Sequence, residues 1–388
     1  MQFIDLQAQR RRIEAEVDAA VSRVIRDGRY VMGPDVAAFE AVFGRFLGGA
    51  RVVSCANGTD ALALALMALE TGPGDAVFVP SFTFIASVQV IPWVGAEPVF
   101  VDIDPETYNI DPASLVAAVD KVEAEGRLKP HSVIAVDLFG QPADYPAISE
   151  IARAKGLRLI ADAAQSVGAT LDGKTGVDYA DLATTSFFPA KPLGCYGDGG
   201  AVASRDEQLA DLVESLRVYG KVTPADAAAR DFKHDPKYLS LRVGMNSRLD
   251  SIQAAILLEK LKIFEDELDR RDAIAARYSE RLAQYVSRTP TLIEGARSSW
   301  AQYVVEHEER DALAAHLKAQ DIPTAVYYPV PVHQQDFCAD YPAPVVDLSV
   351  TEAKSPRVLA LPMHAYLDEA AQDCICDAVA DFALAGAA

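Results

Sequence analysis

Residues 157–165 read Leu-Arg-Leu-Ile-Ala-Asp-Ala-Ala-Gln, and residues 185–194 read Thr-Ser-Phe-Phe-Pro-Ala-Lys-Pro-Leu-Gly. The first stretch is typical of a buried strand that ends at Asp162, and the second is a small, apolar loop that carries Lys191. A lysine in such a loop can lose its proton by desolvation and form a Schiff base with an aldehyde cofactor. An aspartate at the end of a buried strand can pair with a protonated pyridine nitrogen. Together the two stretches indicate pyridoxal 5'-phosphate (PLP).

A third element upstream strengthens this interpretation. Residues 51–55 predict a short strand, which is followed by a polar turn and an alanine- and leucine-rich helix. Gly58 lets the backbone come close to a ligand, and the amides of Gly58 and Thr59 open the helix, where they can hold a phosphate. The alternative is an ordinary helix capped by Thr59 or Asp60, with a surface lysine and a turn aspartate further along. Phosphate cradle, pyridine acid and lysine in this order favour the cofactor site.

Repeated strand–helix units predict an α/β domain with helices on both faces of a mainly parallel sheet. Ligands in such sheets bind at the carboxyl ends of the strands, where the Gly58 turn, Asp162 and the Lys191 loop would meet. The further predicted strands are 76–80, 97–102, 132–137 and 158–162, and the predicted helices are 10–27, a second one opening at Pro34, 61–69, 87–94, 112–125 and 147–155.

The pattern changes after Leu216. Residues 219–241 are polar and alanine-rich and predict a long loop, and residues 250–285 predict one long, bent helix with Glu259, Lys260 and Lys262 on its solvent side. A smaller α+β domain would follow, with strands near 300–306 and 324–327. At 388 residues two domains are expected, and we place them at 1–250 and 251–388.

Composition narrows the possible partners. The formal charge of −20 argues against nucleic acid and anionic membranes, and no apolar run is long enough to span a bilayer. The N-terminus lacks the basic and apolar regions of a signal peptide. Five scattered cysteines argue against a disulfide framework or a metal site. These features predict a cytoplasmic protein.

The chain resembles the DegT-type sugar-nucleotide aminotransferases, which are PLP enzymes of the aspartate aminotransferase fold. Among the matching segments, the lysine loop and the Asn-Ser-Arg-Leu-Asp stretch are the specific ones. The segments are 3–6 with Gln9, 33–40, 57–62, 80–84, 162–165, 186–191, 244–250 and 361–364.

The resemblance implies a PLP-dependent transferase of fold type I, whose large domain has a mainly parallel seven-stranded sheet. It implies that Lys191 carries PLP as a Schiff base and moves protons, while Asp162 keeps the pyridine nitrogen protonated. Gln165 would lie near the ring oxygen of the cofactor, and Phe84 would stack on the ring unless it is a core residue. Ser186, with Gly58 and Thr59, would bind the phosphate.

The resemblance also implies a homodimer with shared active sites. Asn246 matches an asparagine that reaches the phosphate of the partner subunit, although by itself it could be a turn residue that caps the following helix. Dehydratases of the superfamily have histidine in place of Lys191, so transamination with L-glutamate as donor is favoured. The alternatives are another PLP enzyme on this fold, dehydratase-like or acting on amino acids, and a non-catalytic PLP-binding regulator.

Residues 234–238, 241–248 and 188–198 resemble the branch that acts on UDP-linked 3-keto-N-acetylhexosaminuronic acids. Arg248 of the partner subunit would then bind a carboxylate of the sugar, of glutamate, or of each in turn, because guanidinium binds carboxylate bidentately. The alternative for Arg248 is a surface ion pair with Asp250 or Asp231. An anionic substrate on an acidic protein needs a local basic site, for which Lys237 and Arg242 are further candidates.

Three more residues are candidate substrate contacts. Tyr327 and Tyr328 match a His-Tyr or Tyr-Tyr pair that faces the substrate in relatives, and Tyr327 departs from the histidine of some acid-specific members. His333 is a candidate for the mouth of the same site or, alternatively, a structural residue. The substrate branch suggests a role in cell-surface polysaccharide (O-antigen and lipopolysaccharide) biosynthesis. A neutral dTDP- or UDP-linked 3-keto or 4-keto deoxysugar is the alternative substrate.

Overall fold

The computed structural model describes residues 1–229, 231–235, 238–339, 341 and 344–386. Its strands are β1 (Arg51–Cys55), β2 (Asp75–Pro80), β3 (Glu97–Val101), β4 (Lys129–Val136), β5 (Arg158–Asp162), β6 (Thr170–Leu171), β7 (Leu182–Ser186), β8 (Gly200–Ser204), β9 (Ala296–Arg297), β10 (Tyr303–Glu306) and β11 (Val358–Leu361). Seven of them form the central sheet, in the spatial order β1-β8-β7-β5-β4-β2-β3. Within this sheet β8 alone runs against its neighbours. The predicted fold class, with its mainly parallel seven-stranded sheet, is confirmed.

Helices flank the sheet and build the C-terminal part. They are α1 (Leu6–Arg12), α2 (Glu14–Asp27), α3 (Pro34–Phe46), α4 (Gly58–Ala68), α5 (Ala86–Trp93), α6 (Pro112–Glu125), α7 (Tyr145–Lys155), α8 (Glu207–Leu216), α9 (Pro224–Ala229), α10 (Ser251–Leu261), α11 (Phe264–Leu282), α12 (Arg310–Ala319), α13 (Ser349–Lys354) and α14 (Glu369–Gly386).

The central sheet is covered on both faces, which explains its continuous apolar strands. In β5, Leu159 and Ala161 point into one hydrophobic core, while Ile160 points into the other. Every residue of α4 from 61 to 66 is buried, so this helix lies inside the domain. Burial of a leucine such as Leu64 contributes roughly 1.5–3 kcal/mol. This packing holds the start of α4 against the carboxyl ends of the strands.

A separate hydrophobic core lies in the C-terminal part. It includes Ile274 of α11, Leu313 of α12, Ile375 of α14 and the paired strands β10 and β11. Leu257 and Phe264, earlier in the chain, pack instead into the core of the central sheet. The division of the chain at residue 250 stays a prediction.

Two predicted helices are each broken in the structure. The helix predicted for 10–27 is the pair α1 and α2, divided at Ile13, whose side chain is buried with Val17 and Ile256. The helix predicted for 250–285 is the pair α10 and α11, divided at Lys262 and Ile263. In the first case, contact with a distant helix determines where the break falls.

Three smaller predictions are wrong. The predicted loop 219–241 contains helix α9. The strand predicted near 324–327 is reduced, within the described residues, to one bridge between Ala325 and Ala360. Lys260 does not face solvent: it is 1% exposed. A lysine surrounded by charged neighbours in sequence is usually solvated, and only the packing of α10 reveals that this one is not.

No helix in the described part of the chain is long and apolar enough to cross a membrane. Within the same residues, no group of three or more histidine, cysteine, aspartate or glutamate side chains is arranged to hold a metal ion.

Candidate active site

The sequence-predicted cofactor residues meet at the carboxyl edge of the central sheet. Asp162 is the last residue of β5 and Ser186 the last residue of β7, the strand beside it. Lys191 follows Ser186 in a turn closed by its own amide, which donates to the Phe188 carbonyl at 2.9 Å. Gly58, at the start of α4, lies directly against Ser186. Parallel strands bring these residues together because their carboxyl ends share one edge.

Asp162 is buried and held in a defined orientation. The Ser87 hydroxyl donates to its Oδ2 at 2.7 Å, and the Ala164 amide donates to its Oδ1 at 3.2 Å. Burial raises the pKa of Asp162, while the bond from Ser87, the Ala164 amide and the charge of Lys191 oppose the shift. A cation beside this carboxylate would stabilise the ionised form. Ser87 is a site residue that sequence reasoning missed, because nothing in the local pattern distinguishes it from a residue that simply begins a helix.

Lys191 lies partly exposed at the edge of the same cleft. Desolvation lowers the pKa of Lys191, and the charge of Asp162 opposes that shift. A lower pKa increases the neutral fraction of the amine, which is the form that attacks a carbonyl carbon. The loop is rooted in the core by Phe187, whose ring packs edge-on against Phe39 with centroids 5.3 Å apart.

The start of α4 and the end of β7 form a tight cradle. A Cβ atom on Gly58 would stand 2.7 Å from the Ser186 Cβ, so only glycine fits without movement. The Asn57 side chain accepts from the Asp60 amide at 2.8 Å, so Asn57 is the helix cap, and neither Thr59 nor Asp60 is. The amides of Gly58 and Thr59 remain available at the first turn. Ser186 Oγ accepts from the Phe188 amide at 3.3 Å, which leaves its hydroxyl proton free to donate.

Gln165, Tyr328 and Phe84 line one side of the cleft. Gln165 Oε1 accepts from the Phe139 amide at 2.8 Å, and its Nε2 is 3.4 Å from the Tyr328 hydroxyl. The ring of Phe84 lies 6.2 Å from that of Tyr328 and is 52% exposed. The alternative reading of Phe84 as a core residue is therefore wrong, because about half of the residue is exposed. Tyr327, the neighbour of Tyr328, is half-buried, and burial raises its pKa.

Asp137 directly follows β4 and contacts the end of β5, where its amide donates to the Asp162 carbonyl at 3.1 Å. Its carboxylate accepts from the Ser166 hydroxyl at 2.5 Å, the Tyr145 hydroxyl at 2.7 Å and the Ala143 amide at 2.8 Å. Burial raises the pKa of Asp137 to about 7. The sequence shows an apolar strand ending in aspartate here, as at Asp162, but it does not say which aspartate faces the cleft.

These side chains fit PLP. Gly58, Thr59 and Ser186 supply donors for a phosphate, in a cradle that a Cβ atom would fill. Asp162 is a buried carboxylate whose ionised form a cation would stabilise, and Lys191 is a desolvated amine in the adjacent loop. Phe84 offers an exposed ring face.

Asn246 and Arg248 flank a residue that is fixed to the phosphate cradle of their own chain. Ser247 Oγ accepts from the Ala56 amide at 3.0 Å and donates to Asp60 Oδ2 at 2.6 Å. Neighbouring side chains in an extended segment point to opposite sides, so Asn246 and Arg248 face away from Ser247. Asn246 is exposed and Arg248 is half-buried.

The basic candidates around Arg248 differ in their surroundings. Among the described residues, which include Asp231 and Asp250, Arg248 makes no ion pair, so the alternative of a pair with either aspartate is wrong. Arg242 is not free, since it binds Asp226 through both terminal nitrogens at 2.8 and 2.7 Å. That pair holds the pKa of Asp226 well below its usual range. Lys237 lies outside the described residues.

His333 is bound between two other side chains. Its Nδ1 is 2.5 Å from Ser81 Oγ, and its Nε2 is 3.2 Å from Glu352 Oε1. The Val332 amide also donates to the Ser81 carbonyl at 2.9 Å. These contacts give His333 a structural role in joining the C-terminal part to β2.

Comparison with known proteins agrees with this geometry. A model of the DegT/DnrJ/EryC1/StrS aminotransferase family matches residues 11–380. The chain belongs to this family. It is 44% identical over 379 residues, covering 98% of this chain and 99% of the relative, to a UDP-2-acetamido-2-deoxy-3-oxo-D-glucuronate aminotransferase of Pseudomonas aeruginosa. A pleiotropic regulatory protein of Geobacillus stearothermophilus is 38% identical, with 98% of each chain covered.

Two solved structures have the same fold over nearly the whole chain. A DegT/DnrJ/EryC1/StrS aminotransferase from Brucella abortus superposes with a TM-score of 0.93 at 50% identity, covering 98% of this chain and 99% of that one. The DesV protein of S. venezuelae, solved with a ketimine intermediate, superposes with a TM-score of 0.89 at 36% identity, covering 98% of each chain. The resemblance inferred from the motifs is confirmed, and the chain is a PLP-dependent aminotransferase.

Proposed function

We propose that this aminotransferase transfers the amino group of L-glutamate to a keto sugar carried on a nucleotide, with UDP-linked 3-keto-N-acetylhexosaminuronic acid as the substrate. The observation that carries the chemistry is the convergence of Lys191, Asp162 and the Gly58–Ser186 cradle at one edge of the sheet. The substrate class is supported by the 44% identical relative, whose name specifies a UDP-linked 3-oxo-glucuronate.

Each residue of the cleft has a defined task in this proposal. PLP, when bound, supplies the electron sink for exchange of the amino group. Asp162, whose carboxylate is fixed by Ser87, would pair with the protonated ring nitrogen. Lys191 Nζ would hold the cofactor between turnovers and would serve as the group that accepts and returns the proton during amino transfer. The Gly58 and Thr59 amides and the Ser186 hydroxyl hold the phosphate.

Phe84, Gln165 and Tyr328 confine the ring. Phe84 presents its exposed face for stacking, and Gln165 is oriented by the Phe139 amide. Tyr328 and the adjacent Tyr327 form the wall on the substrate side, and the Tyr328 hydroxyl is within 3.4 Å of the Gln165 amide nitrogen. The contacts of His333 with Ser81 and Glu352 speak against a direct role for it in substrate binding.

Arg248 is the residue proposed to recognise the C6 carboxylate, from the partner subunit of a homodimer. Its lack of an ion pair within the described part of its own chain leaves the guanidinium available for a bidentate contact. Loss of such a contact to a desolvated carboxylate is expected to cost on the order of 2–4 kcal/mol, a roughly 30- to 1000-fold loss of kcat/KM. We further propose a role in cell-surface polysaccharide biosynthesis, in the cytoplasm, where free cysteines stay reduced.

One comparison tests the substrate. The enzyme is assayed with a UDP-linked 3-keto sugar bearing a C6 carboxylate and with its C6 hydroxymethyl counterpart. The carboxylate should be preferred, and Arg248→Lys should reduce turnover of the acid while leaving the neutral sugar nearly unchanged, because lysine keeps the charge but loses the fork. Equal or better use of the neutral sugar would refute the hexuronate proposal and favour the neutral deoxysugar alternative.

The same assay tests the alternative that the protein is a non-catalytic regulator. The name of the Geobacillus relative, a pleiotropic regulatory protein, is the reason to test it. A regulator would bind PLP without releasing 2-oxoglutarate from glutamate, with any sugar. The intact set of Lys191, Asp162 and Ser186 favours catalysis.

A further inference from the structure

One face of helix α10 is attached to the loop that carries Lys191. We define the lysine loop as residues 188–197. The buried Lys260 places its Nζ 2.5 Å from the Gly194 carbonyl oxygen and 4.4 Å from the centre of the Tyr196 ring. Two turns earlier, Gln253 Oε1 accepts from the Tyr196 amide at 2.8 Å, and its Nε2 donates to the Tyr196 carbonyl at 3.3 Å. Two side chains seven residues apart therefore satisfy three backbone groups of the loop.

Packing alone does not account for a lysine at this position. Burial lowers the pKa of Lys260 to about 8, while the charge of Glu267 opposes the shift. This lowering means that the site disfavours the ammonium, and a methionine would fill a similar volume without that cost. What methionine cannot do is donate to the buried carbonyl of Gly194. A carbonyl left without a donor in the protein interior costs free energy comparable to a lost hydrogen bond.

Movement of Gly194 would be transmitted to Lys191. A Cβ atom on Gly194 would stand 2.5 Å from the Pro189 carbonyl oxygen and 2.6 Å from that of Phe188. The two arms of the lysine loop are thus pressed together on either side of Lys191. The Cys195 amide also donates to the Phe187 carbonyl at 2.8 Å, which closes the base of the loop. Fixing the Gly194 carbonyl from α10 consequently fixes both arms.

We propose that Lys260, together with Gln253, is a positioning residue that sets where the Lys191 amine stands relative to the aldehyde carbon of PLP. The inference rests on the proposed assignment of Lys191 as the residue that binds the cofactor. Lys260 itself does not touch the cofactor. Its effect is confined to the step in which Lys191 Nζ condenses with the aldehyde and water is released.

A comparison of two cofactor forms isolates this effect. PLP forms a covalent bond to Lys191, whereas pyridoxamine 5'-phosphate (PMP) carries its own amine and binds without one. Lys260→Met in the full-length protein should weaken PLP binding about ten-fold and leave PMP binding within about two-fold. Lys262→Met is the matched control, since Lys262 is exposed, lies two residues away and, among the residues that the structure describes, pairs only with Glu259 on its own helix turn. It should change neither affinity.

Hydrogen exchange on the cofactor-free protein gives an independent measurement. In Lys260→Met, amides of the lysine loop should exchange faster, while those of α4 should not. Unchanged PLP affinity would overturn the proposal, whether or not exchange in the loop is altered. Equal losses of PLP and PMP affinity would also overturn it, because they would mean that Lys260 only stabilises the fold. Should Lys260→Met fail to fold, Gln253→Leu and Lys260→Gln are measured against the same two cofactors.

Borohydride reduction of the PLP-loaded wild type separates this inference from the function it rests on. Peptide mass spectrometry should find the label on Lys191, and Lys191→Ala should remove it. Label on another lysine refutes the proposed site itself. Label on Lys191 with no PLP-specific loss in Lys260→Met refutes only the positioning role.

Discussion

Gly58 illustrates how a single missing side chain shapes the phosphate cradle. Gly58→Ala would place a Cβ atom 2.7 Å from that of Ser186 and push β7 and α4 apart. We expect PLP affinity to fall roughly ten-fold or more, because overpacking at a rigid contact costs about 1–3 kcal/mol. Affinity for pyridoxal, which lacks the phosphate, should fall less. Spectroscopic titration of the cofactor-free protein measures both.

Gly72→Ala is the control for this prediction. A Cβ atom on Gly72 would meet nothing closer than the Val94 carbonyl oxygen at 4.0 Å. The variant should bind PLP as the wild type does. If Gly58→Ala bound PLP as tightly as the wild type, the close contact between Gly58 and Ser186 would not be needed for the phosphate cradle.

The hydrogen bond from Ser87 to Asp162 leads to a prediction about how activity depends on pH. Its hydroxyl donates to Asp162 and lowers the pKa of that carboxyl, while burial raises it. In the proposed function Asp162 acts in its ionised form, so activity should be lost as the pH falls through its pKa. Removing the hydroxyl in Ser87→Ala raises the pKa, and the acidic limb of the kcat/KM profile should move to higher pH.

A serine outside the cleft provides the comparison. The Ser149 hydroxyl donates to the Pro146 carbonyl on helix α7 and to no other group in the described part of the chain, so Ser149→Ala should leave the acidic limb in place. A shift of equal size in both variants, or a shift of the Ser87→Ala limb to lower pH, would count against assigning the acidic limb to Asp162.

At the scale of elements, Arg217 joins three of them at the entry to the phosphate turn. It lies after α8 and is fully buried, and its Nη1 donates to Glu40 Oε1 of α3 at 2.5 Å and to the Ser54 carbonyl of β1 at 2.7 Å. Arg217→Ala leaves Glu40 without its cation. We expect the free energy of unfolding to fall by roughly 2–4 kcal/mol. Chemical denaturation of the wild type and the variant measures this loss.

The exposed pair of Arg158 with Asp181 is the matched control. Arg158 Nη1 and Asp181 Oδ1 are 2.8 Å apart, but the arginine side chain is 55% exposed. Arg158→Ala should cost no more than about 1 kcal/mol. Similar losses in the two variants would show that burial of the Arg217 pair does not matter.

Two central strands illustrate where local pattern fails. β7 reads Leu-Ala-Thr-Thr-Ser and β8 reads Gly-Ala-Val-Ala-Ser, and neither has the bulky apolar run that predicted β2 to β5. Both are nonetheless buried throughout, because α4 lies directly on them. Small residues are required where a helix approaches a sheet closely, and such a requirement appears only once the layers are assembled.

At the scale of the molecule, several large apolar side chains remain exposed on this single chain. Val243 is 88% exposed, Trp93 59%, and Phe188 and Tyr219 52% each. Trp93 and Val243 line one open pocket together, and a contiguous apolar patch of this kind marks an interaction site. It supports the proposed homodimer, in which Asn246 and Arg248 complete the site of the partner.

Complementation tests the shared site. A Lys191→Ala chain and an Asn246→Ala/Arg248→Ala chain should each be inactive alone. Mixed under conditions of subunit exchange, they should recover part of the activity, because one site of each mixed dimer holds both intact halves. Exchange demonstrated by mass spectrometry without recovered activity would refute sharing.

The order of the phosphate turn, the strand-end aspartate and the lysine loop could be predicted from the amino-acid sequence, as could the buried parallel strands. Three features of the site can be recognised within a few residues of sequence. They are the glycine at residue 58, the aspartate that ends an apolar strand and the lysine in a small loop. The folded structure was needed to show that Ser87 donates to Asp162, that Lys260 is buried beneath the lysine loop and that His333 is bound by Ser81. Each of these contacts joins residues between 66 and 252 positions apart. Such pairs leave no trace in hydrophobic periodicity, since it records how one segment faces the core and not which distant side chain lies opposite.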